Sequence, residues 1–278
     1  MTVCEADVSN ETNRGHKLKK YKAYAKVNIF LKITGKRENY HEVFSRFMKV
    51  PHLYDELSFE PKDTSGFILY GNFDCETKQN TIYKAYKVLQ EAIQSEALAK
   101  LIDTYAIRVE KNIPSFAGLG GGSSDAACFL KMCNNSLDLG LSLQELSIIG
   151  AKVGADVPFF IYDYTSANVS GIGEIVERFD EEALNFETIT PKIEVSTPQV
   201  YQTFRESFYK ELAPEEHAKL SVMSSKDILN TYSISEANDL FEPALQLYSK
   251  LKDSYQKGWF FSGSGSTFFT INKDNLNG

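Results

Sequence analysis

A fold that mixes strands and helices is what this sequence predicts, on three observations. Residues 23–33 alternate with the two-residue period of a half-buried strand. Residues 104–133 run as strand, glycine loop and helix. Residues 203–251 read mostly helical and lead into a strand, a Gly/Ser turn and a second strand. At 278 residues the chain is long enough for a sizeable core and, on length, for two domains. Hydrophobic residues make up 42% and charged residues 24%, an ordinary globular balance. No apolar run approaches the ~20 residues of a membrane span. A net charge of −7 argues against a broad nucleic-acid surface, yet it leaves room for a local anion site. The stretch from Met1 to Lys20 is polar, shows no secretory signal and reads as a disordered extension or a mis-set start. Cys4, Cys75, Cys128 and Cys133 form no CxxC pair and have no metal spacing, so a reduced, cytoplasmic protein is expected.

Taken in order, Ala25, Val27, Ile29, Leu31 and Ile33 share one face of the first strand, which ends at Thr34-Gly35. Lys26 and Asn28 share the other face, either as a solvated surface or as a functional pair. Tyr40-His41 follows in a polar turn, able to stack on a planar ring or to pack under the turn. Strand-like runs at 47–50 and 54–59 are broken by Pro51 and Pro61, and 67–70 is another short run. Asn80 caps a helix predicted to continue to about Lys100, with Ile82, Ala85, Tyr86, Leu89 and Ile93 at helical spacing. A strand over 104–109 then feeds the glycine loop.

That loop places Gly118, Gly120, Gly121 and Gly122 within five residues, and Ser123, Ser124 and Asp125 open a helix directly after them. Glycines admit positive φ and close ligand approach, and a helix start aims free N–H groups at one point, which suits a phosphate. The two serines add hydroxyl donors, to a phosphate or to its magnesium. The blander reading is a flexible loop with a Ser/Asp cap. A Gly-Lys-Ser ending is missing, which excludes the usual NTPase P-loop. Further on, Ser142-Leu143-Gln144-Glu145 is a capping box, with its helix stopping at Gly154. Asp156 then sits between that glycine and an apolar run, either capping a short helix from Pro158 or serving as a partly buried base. Ala167-Asn168 marks a possible domain junction, and 192–195 reads as a short strand.

Three stretches together, Ala25-Lys26-Val27-Asn28, Pro114 to Ser124, and Ser262-Gly263-Ser264-Gly265, resemble the GHMP kinase superfamily. Lys32 to Arg37, Tyr40-His41, Gly154 to Phe160 and Asn238-Asp239-Leu240 narrow the resemblance further. They are similar to its branch acting on cytidine diphosphate-linked methylerythritol in the non-mevalonate isoprenoid route. The resemblance runs from about Tyr24 to Phe269. It implies an α+β fold in two parts. Residues 21–166 form an ATP-binding domain like ribosomal protein S5 domain 2, and 167–278 form a substrate-binding α/β sandwich. It implies a kinase using ATP and Mg2+ to phosphorylate the substrate's 2-hydroxyl, as a monomer or weak homodimer without nucleic-acid or membrane partners. Asp156 is then the general base, and Lys26 keeps it ionised and stabilises the transferring phosphoryl. Pro114, Ser115, Phe116, Ala117, Gly118, Leu119, Gly120, Gly121, Gly122, Ser123 and Ser124 wrap the ATP phosphates, with Asn80 near the base. Asn28, Tyr40, His41 and Tyr201 bind the acceptor. Two other readings stay open: a GHMP kinase acting on mevalonate, homoserine or a sugar, and a GHMP-fold ligand sensor without catalysis. Three features depart from the pattern: Asn39 stands for the glycine before Tyr-His in a turn one residue shorter, Phe116 stands where glycine is usual, and the sequence stops soon after Ile271.

Overall fold

The computed structural model describes residues 19–37 and 40–272, and the side chains at 36, 37 and 40 fall outside that description. The expected extension up to residue 18, Cys4 and Asn39 therefore lie outside the described residues. The elements in order are β1 (Tyr21–Arg37), β2 (Tyr40–Pro61), β3 (Leu69–Tyr70), α1 (Thr81–Ile93), α2 (Glu96–Thr104) and β4 (Tyr105–Glu110). Then come α3 (Gly121–Ser136), α4 (Leu143–Ala151), α5 (Val157–Tyr162), β5 (Ser166–Ser170), β6 (Ile175–Arg178) and β7 (Phe186–Ile189). Last are α6 (Thr197–Thr203), α7 (Pro214–Val222), α8 (Ser225–Thr231), α9 (Ile234–Ala237), α10 (Phe241–Leu247), β8 (Phe260–Phe261) and β9 (Phe268–Ile271). No helix among the described residues is long and apolar enough to cross a membrane.

Several boundaries differ from the sequence expectation, each for a local reason. β1 passes through Thr34-Gly35 without turning. Pro51 lies inside β2, where it is exposed and falls between the residues registered with β5 and those registered with β4. A proline there costs no ladder bond to either strand. The helix expected from Asn80 to Lys100 is two helices. Gln94 takes a left-handed conformation at φ 45°, and the Ser95 hydroxyl then caps α2 by accepting from the Ala97 N–H at 3.2 Å. Residues 192–195 form no strand, although Val195 is buried, and Ala167-Asn168 is paired within β5. The capping box at Ser142 and Glu145 forms as predicted, as does the β8–β9 hairpin.

The chain folds as two compact units built from interleaved segments: one up to Tyr24 with His52–Ile113 and Gly121–Tyr162, the other Ala25–Pro51 with Pro114–Gly120 and the chain from Asp163 on. In the first, the end of β2 pairs antiparallel with β4, Leu57 opposite Val109, and β3 runs parallel to β4. Ile82, Ala85 and Leu89 of α1 are buried at helical spacing, whereas Ala126 to Leu130 of α3 are buried in one unbroken run, so that part of α3 is enclosed on every side. Cys128 and Cys133 are buried and in no disulfide, and burial pushes the Cys133 thiol well above the ordinary range. In the second unit, the start of β2 pairs with β5, β5 with β6, and a separate sheet has the order β7-β9-β8. Its core gathers Leu31, Ile33, Phe204, Leu240, Phe241, Trp259, Phe261 and Phe268. Arg46 is fully buried there, its guanidinium donating to Asn168 at 2.7 Å and to the carbonyls of Leu220, Ser221 and Met223. Burial lowers it to about 10, with Glu181 pulling the other way.

Candidate active site

In the second unit the glycine loop is laid against the turn between β8 and β9. The Ser266 N–H donates to the Phe116 carbonyl at 3.3 Å, and the Thr267 N–H to the Ala117 carbonyl at 3.2 Å. Gly118 has φ 72°, and a Cβ built on it falls 2.0 Å from the Ser262 carbonyl oxygen. Only a residue without a side chain fits that approach. Asn238, the residue directly after α9, donates to the carbonyls of Phe261 and Gly263 at 2.8 and 2.9 Å and so fixes the turn.

Lys26 and Asn28 are not a solvated face: they are 3% and 2% exposed. Every residue of β1 from Ala25 to Leu31 is buried, so the alternation of residue types marks two environments inside the protein rather than an inside and an outside. The Lys26 ammonium donates to Asn28 Oδ1 at 2.6 Å and to the Gly118 carbonyl at 3.1 Å, and sits 4.4 Å from the centre of the Phe47 ring. The Lys26 N–H donates to the Leu119 carbonyl at 3.0 Å. Asn28 is set by its own bond to Ser45 Oγ, and Ser262 Oγ donates to the Gly118 carbonyl at 2.9 Å. A buried ammonium thus sits against the inner limb of the loop, a position for meeting anionic charge.

His41 and Tyr201, singled out as ring-binding residues, come together in this unit, their rings stacked at 4.8 Å and 29°. The side chain of Tyr40 lies outside the described residues.

In the first unit, Gly121 and Gly122 open α3, a sixteen-residue helix that begins two residues earlier than expected. Its first N–H groups have no partner within the helix and carry the positive end of its dipole. Asn80 is buried and caps α1, its Oδ1 accepting from the Ile82 N–H at 2.9 Å. Thr81, which carries no motif that would single it out in the sequence, donates through its hydroxyl to the Gly122 carbonyl at 2.6 Å. Asp156 is partly exposed in the turn directly before α5. That turn lies near the start of α3, because a Cβ on Gly154 falls 3.6 Å from Ser123 Oγ.

A second set of residues missed in the sequence braces this half. Asp55 Oδ1 accepts the N–H groups of Asn112 and Ile113 at 2.5 and 2.8 Å, where the chain leaves β4 for the loop. The Lys111 ammonium bridges Asp55 at 2.5 Å and Asp125 of α3 at 2.8 Å. Asp125 is no surface cap. It is 2% exposed, and its Oδ1 has no hydrogen-bond partner among the described residues. Burial pushes its carboxyl up to about 7, against the pull of the Lys111 ammonium and with the Asp55 carboxylate adding to the rise. Burial alone lowers Lys111, but the two carboxylates outweigh it and raise it above the ordinary lysine value. The sequence signals were two acids, Asp55 in the strand-like run 54–59 and Asp125 behind the loop serines, with nothing to pair them.

Comparison with known proteins gives this geometry its context. Residues 80–164 match the GHMP kinases N terminal domain. The chain is 60% identical over 265 residues to a protein of Sulfurimonas denitrificans named 4-diphosphocytidyl-2-C-methyl-D-erythritol kinase, covering 94% of this chain and 100% of that one. It is 40% identical to a Campylobacter jejuni protein of the same name, covering 91% and 100%. A crystal structure of 4-(cytidine 5'-diphospho)-2C-methyl-D-erythritol kinase superposes with TM-score 0.68 at 30% identity, covering 91% and 90% of the two chains. The Methanococcus jannaschii mevalonate kinase, at 12% identity and TM-score 0.58, shares the fold. With fold, loop and near full-length identity in agreement, the chain belongs to the 4-diphosphocytidyl-2-C-methyl-D-erythritol kinase family of the GHMP kinases.

Proposed function

We propose that this chain transfers the γ-phosphoryl group of ATP to the 2-hydroxyl of 4-diphosphocytidyl-2-C-methyl-D-erythritol, the compound for which its relatives are named. The observation that carries the reading is the buried Lys26 ammonium on the Gly118 carbonyl of the glycine loop. The loop, Pro114 to Ser124, cradles the phosphates through backbone N–H groups and the start of α3. Asp156 takes the proton from the attacking hydroxyl. Lys26 balances the charge that spreads over the phosphoryl oxygens, so catalysis comes from positioning and electrostatics. His41, Tyr40 and Tyr201 receive the cytosine ring, Asn28 contacts the acceptor, and Asn80 stands near the adenine.

Mg2+ supplies neutralisation of the triphosphate when bound. Among the described residues no group of three or more His, Cys, Asp or Glu is placed to hold a metal. On this reading the ion arrives on the nucleotide, bound mainly by phosphate oxygens and water, with the Ser123 and Ser124 hydroxyl oxygens as the ligands the loop can offer. On this reading residues 21–166 carry the ATP-binding role and 167–278 the substrate-binding role, ranges that the two compact units interleave, in a cytoplasmic monomer or weak homodimer.

The test is ATP turnover by wild-type and Asp156→Ala proteins against the cytidyl substrate, mevalonate, homoserine and galactose. The expected result is turnover of the cytidyl substrate alone, lowered at least ~10³-fold in the variant, as for loss of a general base. Turnover of another acceptor moves the chain to a different GHMP activity. Nucleotide binding without transfer to any acceptor makes it a sensor.

A further inference from the structure

Four non-glycine residues among those described have positive φ: Gln94, Phe116, Asp138 and Asp163. Gln94 ends α1 as a left-handed cap, and aspartate tolerates this region because its short polar side chain bonds locally. Neither account serves Phe116, a bulky aromatic at φ 52°. The conformation itself has a cause, since the Ser266 and Thr267 N–H groups pin the Phe116 and Ala117 carbonyls. Glycine adopts that conformation without strain. The phenyl ring gains little from folding in exchange. It is 55% exposed, and no aromatic ring or cation stands against it among the described residues. By contrast Ala117 and Leu119, its neighbours in the loop, are 2% and 1% exposed. Strain held at a binding loop without a packing return points to a ligand.

We propose that Phe116 is a nucleotide-binding residue whose ring is covered by the nucleoside end of the bound triphosphate, so that it selects a nucleotide over bare phosphate. The face of a phenyl ring carries negative charge density, which makes it a poor neighbour for phosphate oxygens. It is a good one for the plane of a base or the C–H edge of a ribose. The proposal rests on the reading of the loop as the ATP cradle. The experiment is calorimetric titration of Mg-ATP and of Mg-tripolyphosphate into wild-type, Phe116→Ala, Phe116→Gly and Phe116→Tyr proteins, with melting temperatures measured alongside. ATP is expected to bind about tenfold more weakly to the Ala and Gly variants and within about threefold of wild type to Tyr. Tripolyphosphate affinity is expected to stay within about twofold throughout, and the Gly variant to melt above the Ala variant because it sheds the backbone strain. Equal weakening of both ligands, or weakening of neither, overturns the role given to Phe116. Wild-type protein that binds neither ligand overturns the loop reading, and this inference with it.

Discussion

The two limbs of the glycine loop are held in opposite ways. From Pro114 to Gly120, one unit holds the chain by shape: backbone bonds to residues 266 and 267, a glycine pressed on the Ser262 carbonyl, and a single ammonium on the Gly118 carbonyl. From Gly121 on, the other unit holds it by charge: buried Asp55 and Asp125 and the partly buried Lys111 tie the exit of β4 to the N-terminal half of α3. A shape-held limb fails when a single carbon is added and is indifferent to pH. A charge-held limb tolerates small changes of shape and responds to protons.

The sharpest break of that contrast is Gly118→Ala. A Cβ 2.0 Å from a backbone carbonyl oxygen cannot be relieved by turning a side chain, and alanine also disfavours φ 72°. We expect a loss of about 3–5 kcal/mol in urea or thermal unfolding, or nucleotide affinity lost from a still-folded protein. Gly122→Ala on the other limb is the matched control, because its nearest neighbour would be the Thr81 hydroxyl at 3.3 Å. Equal effects at the two positions would remove the distinction between the limbs.

Next in size is Lys26→Met, which keeps the buried volume and removes the charge. If the charge acts on the transition state as proposed, turnover should fall about 10²–10³-fold while the ATP dissociation constant shifts by less than about fivefold. A variant with unchanged kcat and much weaker ATP binding would give Lys26 a ground-state role instead.

How much of this was legible in the sequence follows the same division. Lys26 and Asn28 share one strand face by their two-residue spacing, and the order of strand, glycine loop and helix offers a phosphate site as one reading beside a flexible capped loop. The burial of that face was hidden, because a period of two reports which residues share a side and not what covers it. The split between α1 and α2 was hidden as well. Residues 80–100 hold no glycine or proline, and the break rests on Gln94 taking a left-handed turn that Ser95 then caps. The Asp55–Lys111–Asp125 brace was the least legible of all. Its members are 56 and 14 residues apart, Asp55 brought to Lys111 by the pairing of β2 with β4 and Asp125 by the start of α3.

The smallest expected effect concerns that brace and its proton. Asp125 has an ordinary value of 3.8 and is raised to about 7 in the fold, chiefly by burial. Between these values the unfolded chain gives up its proton while the folded chain keeps it, so stability falls as pH rises from about 4 to about 7 and levels off above. Asp125→Asn carries no titrating proton at this position, while its carbonyl oxygen can still accept from Lys111, and Asp55 continues to hold both Lys111 and the N–H groups of Asn112 and Ile113. The melting temperature of the variant relative to wild type should therefore climb by on the order of 5 °C between pH 4 and pH 7. A difference that stays flat over that interval would mean the Lys111 ammonium already holds Asp125 ionised, and the charge-held limb would then be as indifferent to pH as the shape-held one.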